Sequence, residues 1–191
     1  MFAKFGQISV ISFQIVRNFM DNIVYLSLGS NLGDKAGNLA KAVAGIQSES
    51  HSIVYQSDIF ETQPWGFESV NSFLNCVLKI VTNLDADALL GQLMQIESGL
   101  GRTRNVNGYA SRTIDIDILF FNNSIIRSPQ LIVPHPRLHL RRFVLEPLVQ
   151  IAPEMIHPVF QRTVKQLLDE CADDSDIKIF STSAWISGRI G

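Results

Sequence analysis

Residues 114–120 read Ile-Asp-Ile-Asp-Ile-Leu-Phe, and this alternation constrains the fold more than any other stretch of the chain. β-Branched residues at every second position describe a strand with one buried face. Ile114, Ile116, Ile118 and Phe120 are expected to point into the core, with Asp115, Asp117 and Leu119 on the opposite face. Residues two apart on a strand have Cα atoms about 7 Å apart, so both carboxylates can reach over one or two divalent cations. Paired metals that serve in-line phosphoryl displacement sit roughly 3.5–4 Å apart. A single Asp on a strand ordinarily marks a solvated face or guards a sheet edge. Two on one face are harder to explain that way, because Asp is a poor strand former. Just upstream, residues 101–113 carry Arg102, Arg104 and Arg112. Hard cations take oxygen ligands and hold substrate phosphates, and arginines clamp the same phosphates through bidentate contacts.

The rest of the composition narrows the class. A chain of 191 residues with 46% hydrophobic and 18% charged residues suits one domain with a substantial core. A formal net charge of −2 provides no general footprint for nucleic acid or an anionic membrane. Two cysteines, Cys76 and Cys171, supply neither a disulfide framework nor metal-ligand spacing. The apolar run at residues 8–13 is too short to span a bilayer, which needs about 20 apolar residues, and no cleavage site of a signal peptide is evident. Residues 1–22 are read as an extension ahead of the domain, with Met20 as the expected natural start. Residues 23–171 are read as the catalytic domain and residues 172–191 as a tail without assigned function.

Within the domain, residues 23–28 read as a strand. Gly29-Ser30-Asn31-Leu32-Gly33-Asp34 reads as a turn and helix cap, ending at Asp34, ahead of a helix over 35–47, and its spacing does not fit a P-loop. Residues 53–60 read as a second strand and 73–82 as a third, with Phe73, Asn75, Val77 and Lys79 on one face. An aromatic beside an amide suits a flat heteroaromatic ring, although spacing alone equally fits a core Phe and a solvated Asn. Residues 85–98 form an amphipathic helix capped by Asp85 and ended by Gly99 and Gly101. Asn122-Asn123 reads as a hairpin turn with a return strand beginning at Ile125 and Ile126. Residues 164–171 read as a last short helix. Strand, helix, two strands, helix, strand is the order of a ferredoxin-like α+β fold: an antiparallel sheet with helices on one face, here with an extra C-terminal hairpin and helices.

Several stretches together resemble the 6-hydroxymethyl-7,8-dihydropterin pyrophosphokinases: GSNLGD, FETQPWG, SFLN, GRTR, SRTIDIDILFF and VPHPRL, in that family's order from about Ile23 to about Leu168. The resemblance implies transfer of pyrophosphate from ATP to 6-hydroxymethyl-7,8-dihydropterin in folate biosynthesis. Asp115 and Asp117 would hold two Mg²⁺ ions. Arg102 and Arg112 would bring charge to the reacting phosphates, and Glu97, Arg104, Tyr109, Ile118, His135 and Arg141 would join them around ATP. Thr62, Gln63, Trp65, Phe73, Asn75 and Phe143 would form the pterin site. Some positions depart from the common pattern: Gln63 replaces a Pro, Tyr109 a Trp, Ala110-Ser111 a Gly-Pro and Pro136 a Tyr. Small-molecule substrates, no nucleic acid, no membrane, a monomer and a cytoplasmic location are the accompanying expectations. A metal-dependent phosphohydrolase could use the same carboxylates and arginines, and a ferredoxin-like RNA-binding module is the non-enzyme alternative. The first leaves Phe73, Asn75 and Phe143 without a purpose, and the second is disfavoured by acids on the strand that would meet a phosphate backbone.

Overall fold

The structure is a computed structural model that describes residues 21–48, 50–66, 70–102 and 111–182. Its first half alternates strand and helix: β1 (Asn22–Ser30), α1 (Lys35–Ile46), β2 (His51–Gln56), β3 (Ile59–Thr62), β4 (Phe73–Thr82), α2 (Ala86–Gly99) and β5 (Asp115–Phe121). The sheet order β5-β1-β4-β3-β8, where β8 is Ile177–Ser181, with β2 also on β4 and every pair antiparallel, contains the expected ferredoxin-like core. The predicted caps hold their helices: Asp34 accepts from the Gly37 amide at 2.9 Å and Asp85 from Ala88 at 2.8 Å. At the end of α2, Gly101 takes φ +79°, which a Cβ would strain.

The one strand expected over 53–60 is two. Ser57 interrupts it, because its hydroxyl accepts the Val77 amide at 2.9 Å and donates to the Asp58 carbonyl at 2.8 Å. A side chain that supplies the ladder's bond lets the backbone turn out of register. The return strand also differs from expectation. β6 (Ile126–Arg127) pairs with β7 (Ile132–Val133) as a separate two-stranded ribbon and does not fold back on β5.

Helices α1 and α2 cover one face of the sheet. There Val24, Leu26, Leu28, Cys76, Leu78, Ile80, Ile114, Ile116 and Ile118 meet Leu39, Ile46, Leu89 and Leu93. Phe120 does not join them. The register runs Leu26 to Ile118 and then Tyr25 to Phe120, so Leu119 is an extra residue in β5. One inserted residue reverses every later side chain. Phe120 thus lies on the other face with Leu119, edge-on to Tyr25 at 6.2 Å between ring centroids.

That second face is covered in part by the extra C-terminal helices. Two further helices, α3 (Arg142–Ile151) and α4 (Val164–Asp169), bring Val144, Leu145, Leu148, Val164 and Leu167 onto Tyr25, Val77, Leu119 and Phe120. Helix α3 was not foreseen, since Pro147 lies inside it and a proline normally argues against a helix interior. The stretch read as a tail contributes β8 (Ile177–Ser181), paired with β3 at the sheet's edge. Beyond these helices the second face continues to an end that holds Gly29, Phe73, Asn75, Asp115 and Asp117.

Candidate active site

Strand pairing brings the site residues together. Gly29 of β1 stands between Asn75 of β4 and Asp115 of β5, and Ser27 between Val77 and Asp117. Residues directly opposite in a ladder share a face, so the amide and both carboxylates project to the same side. A Cβ on Gly29 would lie 2.9 Å from Asn75 Oδ1, so only glycine leaves that amide in place. Asn75 is buried and donates its Nδ2 to Thr62 Oγ1 at 2.8 Å. That bond leaves the amide oxygen on the side of Gly29. The Thr62 side chain thus positions Asn75.

The GSN turn at the end of β1 anchors the arginine segment. Asn31 accepts the Arg112 amide at 2.7 Å, donates its own amide to the Arg112 carbonyl at 3.1 Å, and bonds Ser111 Oγ at 3.0 Å. Ser30 Oγ donates to the Thr113 carbonyl at 2.5 Å. Arg112 then pairs with Asp115 at 2.6 Å, and Arg102 pairs with the other Asp115 oxygen at 2.5 Å. Arg102 also contacts Glu97. Glu97 is buried, and its Oε1 accepts the Ile116 amide at 2.7 Å. β5 is the outer strand here, and Glu97 satisfies an amide that no neighbouring strand reaches.

Two cavities meet at this point. The first is lined by Thr62, Gln63, Trp65, Phe73, Asn75, Phe143 and the arginines Arg137 and Arg141. The second, about 690 Å³, runs along the outer edge of β5 past Leu90, Met94, Glu97, Ile118 and Ile132. Arg102, Arg112, Asp115, Asp117 and His135 line both. An aromatic, amide-bearing chamber and an apolar ledge therefore share one charged wall.

A family model described as 7,8-dihydro-6-hydroxymethylpterin-pyrophosphokinase matches residues 25–153. The chain belongs to this family. It is accordingly a pyrophosphokinase of folate biosynthesis with ATP as co-substrate, and the phosphohydrolase and RNA-binding alternatives have no support. The 2-amino-4-hydroxy-6-hydroxymethyldihydropteridine pyrophosphokinase of Bacillus subtilis is 46% identical over 137 residues, covering 71% of this chain and 81% of that protein. The folic acid synthesis protein fol1 of Pneumocystis carinii is 37% identical over 162 residues, which are 84% of this chain and 22% of that one. Among solved structures, wild-type Plasmodium falciparum HPPK-DHPS with SDX-DHP superposes with a TM-score of 0.64 at 17% identity, over 78% of this chain. That likeness bears on the fold alone. The present chain spans 44% of that longer chain.

For a pyrophosphokinase, the state of the shared wall matters most. Burial in the cleft, and then the nearby Asp115 charge, push the Asp117 carboxyl up to about 7, against the pull of Arg141, Arg112 and Arg102. Some 40% of its side chain still reaches solvent, which screens the charges around it. His135 is pushed down to about 4, by burial first and then by Arg141 and Arg137. Its Nδ1 accepts the Arg137 amide at 3.2 Å, which leaves the proton of the neutral ring on Nε2, 3.9 Å from Asp117 Oδ2.

Of the residues named from sequence, Thr62, Gln63, Trp65, Phe73, Asn75 and Phe143 line the first cavity, and Glu97 and Ile118 the second. Arg141 lies in the first and not the second, its guanidinium 5.0 Å from the Trp65 ring centroid and 5.6 Å from that of Phe143. Arg104 and Tyr109 fall outside the described residues. Sequence reasoning missed Ser27, Gly29 and Arg137. A glycine inside an alternating strand is a signal of close approach that could have found Gly29.

Among the described residues, no group of three or more His, Cys, Asp or Glu could enclose a metal, and no helix is long and apolar enough to cross a membrane. Two carboxylates on one face are what Mg²⁺ shared with a polyphosphate asks of the protein, since most of its other ligands are water and phosphate oxygens. The residues present fit that ion.

Proposed function

We propose that the first cavity takes 6-hydroxymethyl-7,8-dihydropterin, the second takes ATP, and the shared wall carries the transfer between them. The observation behind this reading is that Arg102, Arg112, Asp115, Asp117 and His135 line both cavities. Phe73 and Phe143 offer ring faces for a bicyclic heterocycle, and Asn75, held by Thr62, presents an amide to its polar edge. Leu90, Met94, Ile118 and Ile132 form an apolar ledge suited to a purine.

Asp115 and Asp117 would hold Mg²⁺, two ions by the sequence expectation, which when bound lowers the negative charge of the triphosphate that repels a nucleophile. The hydroxymethyl oxygen attacks the β-phosphorus, its bond to the α,β-bridging oxygen breaks, and AMP leaves. Arg102 and Arg112, paired with Asp115 before substrate arrives, are the cations at the charge that moves onto AMP. Arg112 Nε is buried and has no partner among the described residues, so it has a hydrogen bond to give. Neutral His135 donates through Nε2 to a phosphate oxygen. No protein nucleophile takes part. The same reading takes the chain as a cytoplasmic monomer, and sedimentation of the purified protein tests the latter.

The deciding experiment is a quenched incubation with ATP, Mg²⁺ and the dihydropterin, resolved by chromatography. AMP and pterin diphosphate in equal amounts are expected. Inorganic phosphate or ADP without pterin diphosphate would refute the assignment.

A further inference from the structure

The reaction moves two phosphoryl groups from the nucleotide side of the wall to the pterin side. The oxygen of the hydroxymethyl group bonds the β-phosphorus, the bridging oxygen departs with AMP, and the hydroxyl proton is released. After transfer the pterin side holds a diphosphate it did not hold before. The cations lining the first cavity and not the second are Arg137 and Arg141. They are not equivalent. Arg141 is buried, with its guanidinium over Trp65 and Phe143, so its charge is set against the rings that would receive the pterin. Arg137 is exposed at the mouth of the same cavity. Its place relative to the shared wall is fixed through the backbone, because its amide donates to His135 Nδ1 at 3.2 Å. Its charge is felt at the His135 ring, which it helps keep neutral.

We infer that Arg137 is a specificity residue for the product: its guanidinium holds the transferred diphosphate on the pterin side, and it contributes little to ATP or to the unphosphorylated pterin. This rests on the pyrophosphokinase reading above. An arginine fork matches phosphate oxygens in a way that an exposed mouth alone would not select. A residue engaged only after transfer affects release of the diphosphate and its inhibition of the next turnover, not capture of the substrates.

The test uses the full chain and its Arg137→Ala and Arg137→Lys variants. Titration calorimetry measures binding of three probes with Mg²⁺: α,β-methylene-ATP, 6-hydroxymethyl-7,8-dihydropterin and its diphosphate. In the alanine variant the diphosphate should bind about ten-fold more weakly, the loss expected for one charge-assisted contact to phosphate. The other two probes should change less than about two-fold, and lysine should restore part of the loss by returning the charge without the fork. Unchanged diphosphate affinity, or equal weakening of the ATP analogue, overturns the role of Arg137. A parent chain that forms no AMP from ATP and the dihydropterin overturns the pyrophosphokinase reading itself, a separate outcome read in a separate assay.

Discussion

The floor of the first cavity and the charged wall behind it are held in different ways. The floor is made of strand residues held mainly by a neutral hydrogen bond and close packing. Asn75 is bonded to Thr62, Gly29 leaves room for the amide, and Phe73 is largely buried beside them. The Asn75–Thr62 bond can stay as it is when a ligand enters, while the Arg112 guanidinium, 5.8 Å from the Phe73 ring centroid, ties this floor to the wall. The wall is held by ions paired to each other: both oxygens of Asp115 carry an arginine, and Arg102 is shared with Glu97. Those pairs occupy the groups that a metal and a triphosphate would need. A recognition surface gains from being preformed. A surface that meets a moving charge gains from cations and anions that can be re-partnered, provided something rigid holds their backbones. The Asn31 bonds to the Arg112 segment and the Glu97 bond to the Ile116 amide do that holding.

The largest effect expected from this contrast is on the wall. Asp117→Ala should lower kcat on the order of 10³-fold, by analogy with loss of a group that stabilises transition-state charge, while the circular dichroism spectrum stays that of the parent. A variant with near-normal turnover would remove Asp117 from the chemistry. The floor should respond differently. Asn75→Ala should weaken binding of the dihydropterin by about ten-fold or more, the cost of a buried amide contact, and leave α,β-methylene-ATP binding unchanged in the same titration. If both ligands weaken equally, floor and wall are not separate units.

A smaller effect should appear in stability. Glu97→Ala removes the partner of the Ile116 amide and of Arg102, and should cost about 2–3 kcal/mol in chemical denaturation. Asp117→Asn should do the reverse and stabilise the free protein. The folded Asp117 carboxyl is raised above its ordinary 3.8, so its ionised form is disfavoured by folding. The cost is fully present above pH about 7 and absent below the ordinary value. Because the side chain is partly exposed, the gain at pH 8 should be about 1 kcal/mol after allowance for screening, and nil at pH 3. The smallest effect is on metal affinity. Protons compete with Mg²⁺ for Asp117, so apparent affinity should fall a few-fold for each unit of pH below 7, read by calorimetry in buffers of different ionisation enthalpy.

Much of this was legible from residue order. Alternation placed Asp115 and Asp117 on one face and Phe73 with Asn75 on another strand's face, and the caps at Asp34 and Asp85 marked both early helices. The misreadings have local causes. Leu119 is one inserted residue, invisible to a periodicity that looks the same on either side of it, and it moved Phe120 to the other face. Pro147 hid α3, and the Ser57 hydroxyl hid the break between β2 and β3.

Taken alone, the sequence determined which residues alternate, where the two helices on the first face start and stop, and which acids, arginines and aromatics are available, because these follow from neighbours a few positions apart. Only the tertiary structure decided that Gly29 must lack a side chain, that Glu97 braces β5 and Arg102, and that Arg137 and Arg141 belong to one cavity and not the other. Those facts depend on partners such as Asn75 for Gly29 and Ile116 for Glu97, which meet only when the chain closes on itself. Backbone pairing sets such distances to within a fraction of an ångström, and no local pattern encodes them.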